Sequence, residues 1–255
     1  MKRVHMTNGY LLNPSHPVTV DLIGVGGTGS QVLTSLARIN HALQELGHPG
    51  LRVVAYDDDI VTESNIGRQL FSPSDLGHNK AEVLTTRLNR FFGTDWGIVP
   101  ERFDSYNSSS ANITISCVDS VNSRLCIDKA LDMAGSGYDH LCRIYWLDFG
   151  NTTNTGQVVL GTVGDVQQPE STDEVDYISD MRTVTELFDL TKVDERDSGP
   201  SCSLAEALRK QDLFINSTLA QLGSALLWKL LSTGSIDYQG MFLNLETMKV
   251  NPIKL

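Results

Sequence analysis

Apolar positions along the chain alternate between two periods. Residues 18–23 form a short apolar run that stops at Gly24, and residues 30–46 then carry Val32, Leu33, Leu36, Ala37, Ile39, Leu43 and Leu46 at helical spacing. This predicts strand, glycine turn, helix. A second β-branched run at 51–56 completes a βαβ unit, whose parallel strands require a right-handed crossover. Further on, 80–92 reads as a helix and 112–118 as a buried strand ending at Asp119, with Ser120 placed to cap the next helix. Strands are expected at 141–148 and 157–160, joined through the turn-forming Gly150, Asn151, Thr152, Thr153 and Asn154. Residues 212–231 form a long helix with Leu, Ala and Trp228 on more than one face, buried either in the core or in a subunit interface. A terminal hairpin follows at 238–245 and 248–253. The expected class is α/β, with a mostly parallel central sheet, flanking helices and a C-terminal antiparallel portion.

Composition narrows this picture. With 255 residues, 40% apolar and 20% charged, the chain has the length and character of one large α/β domain, 1–255, and contains no apolar run long enough to span a bilayer. The start, Met1 to Met6, lacks the apolar block of a signal peptide, so a cytoplasmic protein is expected, not one at a membrane. The net charge of −11 argues against a nucleic-acid binder. Residues 164–198 hold eleven acidic residues against Arg182, Lys192 and Arg196, and so carry −8 of the −11. Cys117, Cys126, Cys142 and Cys202 make no Cys-x-x-Cys pair, which removes zinc ribbons and dithiol motifs. The six histidines lack metal-ligand spacing and read as structural or surface residues.

The candidate chemistry begins at the loop Gly24, Val25, Gly26, Gly27, Thr28, Gly29, which fits the dinucleotide-binding pattern. Alone that pattern is weak. It gains meaning from Asp57, Asp58, Asp59, then Asn65, Arg68, Gln69 and Lys80, since a dehydrogenase needs only an acidic residue for the ribose while a nucleotide triphosphate needs the cations as well. Taken singly, Arg68 or Lys80 reads as a solvated side chain, Asp119 with Ser120 as cap chemistry, and Asn65 as a turn residue. Their joint order reads as a nucleotide site.

Together with Cys117, Val118, Asp119, Ser120 and Arg124, these residues resemble the ThiF/MoeB/HesA family of ubiquitin-activating-enzyme-like adenylyltransferases over residues 18 to about 160. Trp146 to Asn151 and Pro200 to Leu204 resemble in particular the ThiF-related protein of bacterial PRTRC gene cassettes. The resemblance implies a Rossmann-like adenylation fold divided into a nucleotide-binding core (18–160), an acidic crossover loop (161–200) and a C-terminal helix and hairpin (201–255). It also implies ATP and Mg²⁺ as cofactors, and a small ubiquitin-like or sulfur-carrier protein, activated at its C-terminal carboxylate, as partner. In that scheme Gly24, Gly26, Gly27 and Gly29 receive the phosphates, Asp57 the ribose, and Asn65 and Gln69 the phosphate or base. Arg68 and Lys80 offset phosphate charge, Asp119 holds Mg²⁺, and Asp59 helps hold the loop or the metal.

Cys202, in Pro200-Ser201-Cys202-Ser203 at the start of a predicted helix 203–210, resembles the thioester cysteine of such enzymes, and a helix N-terminus favours the thiolate. The bland alternative is a packing residue. Cys117, Cys126 and Cys142 read as inert, the last two from their apolar neighbours Leu125, Ile127 and Leu141. The acidic stretch is either a crossover loop over the adenylate or a solvated loop. Two family elements are missing: an Arg-Tyr-x-Arg-Gln segment ahead of the glycine loop, which lends an arginine to a neighbouring subunit, and the paired Cys-x-x-Cys zinc site. A homodimer fits the apolar helix at 212–231. The competing readings are a non-catalytic nucleotide-binding adaptor and an NAD-dependent oxidoreductase.

Overall fold

β-branched strands alternating with amphipathic helices assemble the larger of two sheets. The computed structural model describes residues 1–104, 110–132, 142–192 and 211–255. In chain order these contain β1 (Lys2–Met6), α1 (Gly9–Leu12), β2 (Val18–Ile23), α2 (Gly27–Glu45), β3 (Leu51–Tyr56), α3 (Lys80–Phe92), β4 (Gly97–Val99), β5 (Ile113–Ser116) and α4 (Val121–Asp132). β6 (Tyr145–Asn151), β7 (Thr155–Thr162), β8 (Val175–Tyr177), α5 (Val184–Leu187), α6 (Ile215–Thr233), β9 (Ser235–Ile236), β10 (Tyr238–Asn244) and β11 (Lys249–Lys254) follow.

The large sheet has the order β11-β10-β7-β6-β5-β2-β3-β4. From β6 to β4 every pairing is parallel, and from β6 to β11 every pairing is antiparallel. This is the mostly parallel sheet with an antiparallel C-terminal portion that the hydrophobic pattern predicts. Strand alternation sorts side chains between its faces. Val20, Leu22, Val53, Ile113, Ile115, Leu147, Phe149, Val158 and Leu160 join one core with residues of α2, α3 and α6. Ile23, Tyr56, Trp146 and Val159 join another with Ile127 and Leu131 of α4 and Val184 of α5.

The long helix α6 is explained within the chain. Leu219, Ala220, Leu226, Leu227, Leu230 and Leu231 are buried between α2 and the β6–β7 part of the sheet, so its apolar girth needs no second subunit. No described helix is long and apolar enough to cross a membrane. Some boundaries differ from expectation. β6 continues through Gly150 and Asn151, where a turn is expected, because both pair across the hairpin with Gln157 and Gly156. α2 begins at Gly27 instead of residue 30, its poor helix formers held by tertiary contacts described below.

A second sheet, β8-β1-β9, has no counterpart in the sequence reading. β1 runs parallel to β8 and antiparallel to β9, joining segments more than a hundred residues apart. His5 pins it: its ring is fully buried, Nδ1 donates to the Ile178 carbonyl at 2.6 Å, and Nε2 accepts from the Tyr145 hydroxyl at 2.8 Å. The Tyr145 oxygen in turn accepts from the Asn8 N–H at 3.1 Å. The described part of the acidic stretch is therefore built into the fold, with β8 in this sheet and Met181 and Val184 buried.

Candidate functional site

The carboxyl ends of β2, β3 and β5 meet at the glycine loop. Gly24 holds φ +86°, a left-handed backbone that glycine tolerates, and its N–H donates to the Tyr56 carbonyl at 2.9 Å. A side chain there would strike the Cys117 carbonyl at the end of β5. Gly29, in the first turn of α2, packs against Gly24. Gly27 is needed for a different reason: a Cβ would lie 2.8 Å from the side chain of Asn216 on α6. Around Gly26 no described atom lies within 4 Å of the Cβ position. The room at the start of α2, with its outward N–H groups and positive dipole end, is at Gly26.

The acid-rich loop after β3 closes onto this turn. Asp57, nearly buried, accepts the Val25 N–H through Oδ2 at 2.5 Å and the Asp59 N–H through Oδ1 at 2.9 Å. Each oxygen keeps one further acceptor position. Burial pushes the Asp57 carboxyl up, against the Lys80 charge and the two N–H bonds. Lys80, only 9% exposed at its side chain, places Nζ 2.7 Å from Asp59 Oδ2. It occupies the first turn of α3, whose N-cap Asn79 accepts the Glu82 N–H at 3.0 Å and donates to the Asp57 carbonyl at 2.7 Å. A capping residue thus locks the acid loop to the helix that presents the lysine.

Asn65 closes a capping box at a 3₁₀ turn, its Oδ1 accepting from the Thr62 N–H at 2.9 Å. Its backbone carbonyl holds the Gln69 N–H at 2.9 Å. Arg68 donates through Nη1 to Gln211 Oε1 at 2.5 Å. Its Nε, like Oε1 of Gln69, is buried with no hydrogen-bond partner among the described residues. A buried donor and a buried acceptor on adjacent residues, both unsatisfied, are costly unless something else completes them.

Gln211 and Asn216 are absent from the sequence reading. Asn216, buried at the start of α6, donates through Nδ2 to Gln211 Oε1 at 2.9 Å and accepts the Thr28 hydroxyl through Oδ1 at 2.9 Å. Their role rests on contacts across the whole chain. The one sequence signal is a pair of amides flanking the start of a helix rich in leucine and alanine.

Asp119 lies exposed just beyond β5, outside the carboxylate group that Asp57, Asp58 and Asp59 form within 4.8 Å of one another. Oxygen donors of this kind suit Mg²⁺. Ser120 caps α4 as expected, accepting the Ser123 N–H at 3.1 Å. Arg124 does not face the loop. Its Nε donates to both oxygens of Asp148, at 3.0 and 3.1 Å, and Nη2 donates to the Val118 and Phe149 carbonyls. Cys202 lies outside the described residues. Cys126 is exposed and not packed among its apolar neighbours, because flanking residues on a helix face other directions and, of the two, Ile127 turns inward. Burial pushes the Cys117 thiol well up, consistent with a packing role. Two surface hollows, one beside Arg87 and Arg90 and the other among Asp128, Asp132, Asp180 and Glu186, are not lined by the glycine loop.

Comparison with known proteins places this geometry. Over 129 residues the chain is 26% identical to ubiquitin-like modifier-activating enzyme 5 of Culex quinquefasciatus, a match covering 44% of this chain and 30% of that protein. Over 123 residues it is 27% identical to ubiquitin-activating enzyme E1 1 of Candida albicans (strain WO-1), covering 43% of this chain and 12% of that one. The matched region is therefore less than a third of either relative. Among solved structures the fold superposes on E. coli MccB with a TM-score of 0.62 at 17% identity, covering 96% of this chain and 63% of that chain. For PaaA the TM-score is 0.58 at 15% identity, with 93% and 64% covered. The sequence match to the ThiF family runs from residue 16 to residue 251, through the glycine loop, the acid loop, Lys80 and α6, and the chain belongs to that family.

Proposed function

We propose that this protein uses ATP to adenylate the C-terminal carboxylate of a small ubiquitin-like or sulfur-carrier protein. The observation that carries the reading is the convergence, at one sheet edge, of the α2 N-terminus at Gly26, the cations Lys80 and Arg68, and the unsatisfied Arg68 Nε and Gln69 Oε1. Two relatives support it by name as ubiquitin-like and ubiquitin activating enzymes. Structures of E. coli MccB with ATP, and with AMPCPP together with MccA, support a nucleotide and a small partner on this fold.

In the proposed reaction a carboxylate oxygen of the partner attacks the α-phosphorus of ATP, and pyrophosphate leaves with the electrons of the broken P–O bond. Gly26, Gly27 and the following turn of α2 direct N–H groups at the α-phosphate. Lys80 and Arg68 offset the charge that builds on the phosphates. Asp57 offers its remaining acceptor positions to the ribose while its N–H bonds hold the glycine loop against the acid loop. Asn65 acts through the turn that aims Arg68 and Gln69. Asp119, exposed just beyond β5, would hold Mg²⁺, which neutralises phosphate charge when bound. Asp59 orients Lys80. In a second step the Cys202 thiolate attacks the acyl carbonyl, AMP leaves, and a thioester forms.

Partner-dependent exchange of pyrophosphate into ATP is the decisive measurement. It should be present in the wild type and lost in Lys80→Ala and Asp119→Ala; undiminished exchange in either variant removes that residue's role. A reductant-sensitive conjugate formed by wild type and by Cys202→Ala alike would remove the thioester step.

A further inference from the structure

Gln211 and Asn216 reach the glycine loop from the far end of the chain, and the reaction above assigns them nothing. Four side chains form one continuous line. Arg68 Nη1 donates to Gln211 Oε1, the same oxygen accepts from Asn216 Nδ2, and Asn216 Oδ1 accepts from Thr28 Oγ1 in the first turn of α2. Asn216 is 3% exposed and Thr28 6% exposed, so the line is shielded from water over much of its length. The amide of Asn216 also sits against the backbone of Gly27, leaving no space there for a side chain.

We infer that Gln211 and Asn216 are positioning residues for the phosphate end of the nucleotide: they clamp the Arg68 guanidinium in a fixed relation to the α2 N-terminus. The inference rests on the nucleotide site proposed above. Arginine has many rotamers, and a cation held in one of them before the ligand arrives loses less freedom on binding. The Gln211 carbonyl takes donors from both sides, which orients the Asn216 amide with its oxygen toward Thr28. Arg68 meanwhile retains an Nε–H donor that no described group uses. The clamp therefore restrains the guanidinium while leaving part of it available to an anion.

Calorimetric titration of the full chain with ATP and, separately, with adenosine tests this in wild type, Gln211→Met and Arg68→Ala. Gln211→Met keeps the side-chain length and removes the acceptor. ATP affinity should fall about tenfold in Gln211→Met, the size of one charge-assisted hydrogen bond, while adenosine affinity stays unchanged. In the Arg68→Ala background the same change should have no further effect. Equal loss for both ligands would mean general damage to the site, and additive losses would mean that Gln211 acts without Arg68; either overturns the clamp, as does unaltered ATP affinity. If wild type binds no ATP, the nucleotide site fails and the positioning role with it. A separate readout on ligand-free protein is the ¹⁵N signal of Arg68 Nε–H. It should be dispersed in wild type and collapse toward the free-arginine position in Gln211→Met; identical spectra would overturn the clamp even where the nucleotide site stands.

Discussion

Two arginines near the carboxyl edge of the sheet have opposite surroundings. Arg124 is closed: Nε meets both oxygens of Asp148, Nη2 meets two backbone carbonyls, and Asp148 also accepts the Ser116 hydroxyl at 2.5 Å. Arg68 is open, held at Nη1 by Gln211 with Nε buried and unpartnered among the described residues. A buried ionic network whose groups satisfy one another leaves little for a ligand to gain, whereas an incomplete one carries a desolvation cost that a ligand can relieve. The difference separates Arg124, whose hydrogen bonds hold the fold, from Arg68, the arginine proposed to meet the phosphates, although the sequence groups both with the same motif set.

The largest effect should come from opening the closed corner. Arg124→Leu leaves Asp148 buried without its cation, and urea unfolding should show a loss of about 3–5 kcal/mol. A loss under ~1 kcal/mol would break the contrast. Arg68→Ala should do the reverse: its partner-dependent pyrophosphate exchange should fall by about 10²–10³-fold, comparable with removing one donor from a preorganised anion site. Its unfolding free energy should change by no more than ~1 kcal/mol, because an unsatisfied buried donor is removed along with the bond to Gln211.

A smaller effect tests why Gly27 is glycine. Gly27→Ala should cost about 1–3 kcal/mol in unfolding measurements, from overpacking against Asn216. Asn216→Ala in the same chain should recover part of it. Equal costs in both backgrounds would show that the strain lies elsewhere. The smallest effect concerns a closed network whose closure depends on a proton. Burial lowers the pKa of His5, opposed by its bond to the Ile178 carbonyl, so the folded state prefers the neutral ring. Below the ordinary histidine range near pH 6.5 the unfolded chain binds more protons than the folded one, and stability declines as pH falls from 7 toward 5. His5→Gln, which keeps a donor and an acceptor but does not titrate, should flatten that part of the pH profile. An unchanged slope would assign it to other groups.

Much of the fold was legible because it is local. The runs at 18–23, 51–56 and 80–92 coincide with β2, β3 and α3, where period and caps agree with the tertiary contacts. The side sheet was not legible. β1 is a polar pentapeptide, β8 lies in an acid-rich stretch and β9 has two residues, so their pairing comes from non-local contact and not from pattern. Site residues divide in the same way. Asp57, Lys80 and the glycine loop stand at spacings set by one βαβ unit and its following helix. Gln211 lies 143 residues from Arg68, and the exposure of Cys126 was not legible because flanking residues say little about which side of a helix is covered.

The sequence by itself determined the α/β class, the glycine turn, and the acidic and basic residues brought to its rim, since strand and helix periods and a short crossover leave few alternatives. Tertiary structure alone decided which of those polar groups were already satisfied. Arg124 finds Asp148 and two carbonyls, Asn65 closes its own turn, and Arg68 meets the Gln211 amide ahead of α6 and keeps a donor that no described group uses. Hydrogen-bond satisfaction depends on distance and direction among groups far apart in the chain, and residue type with local spacing does not carry that information.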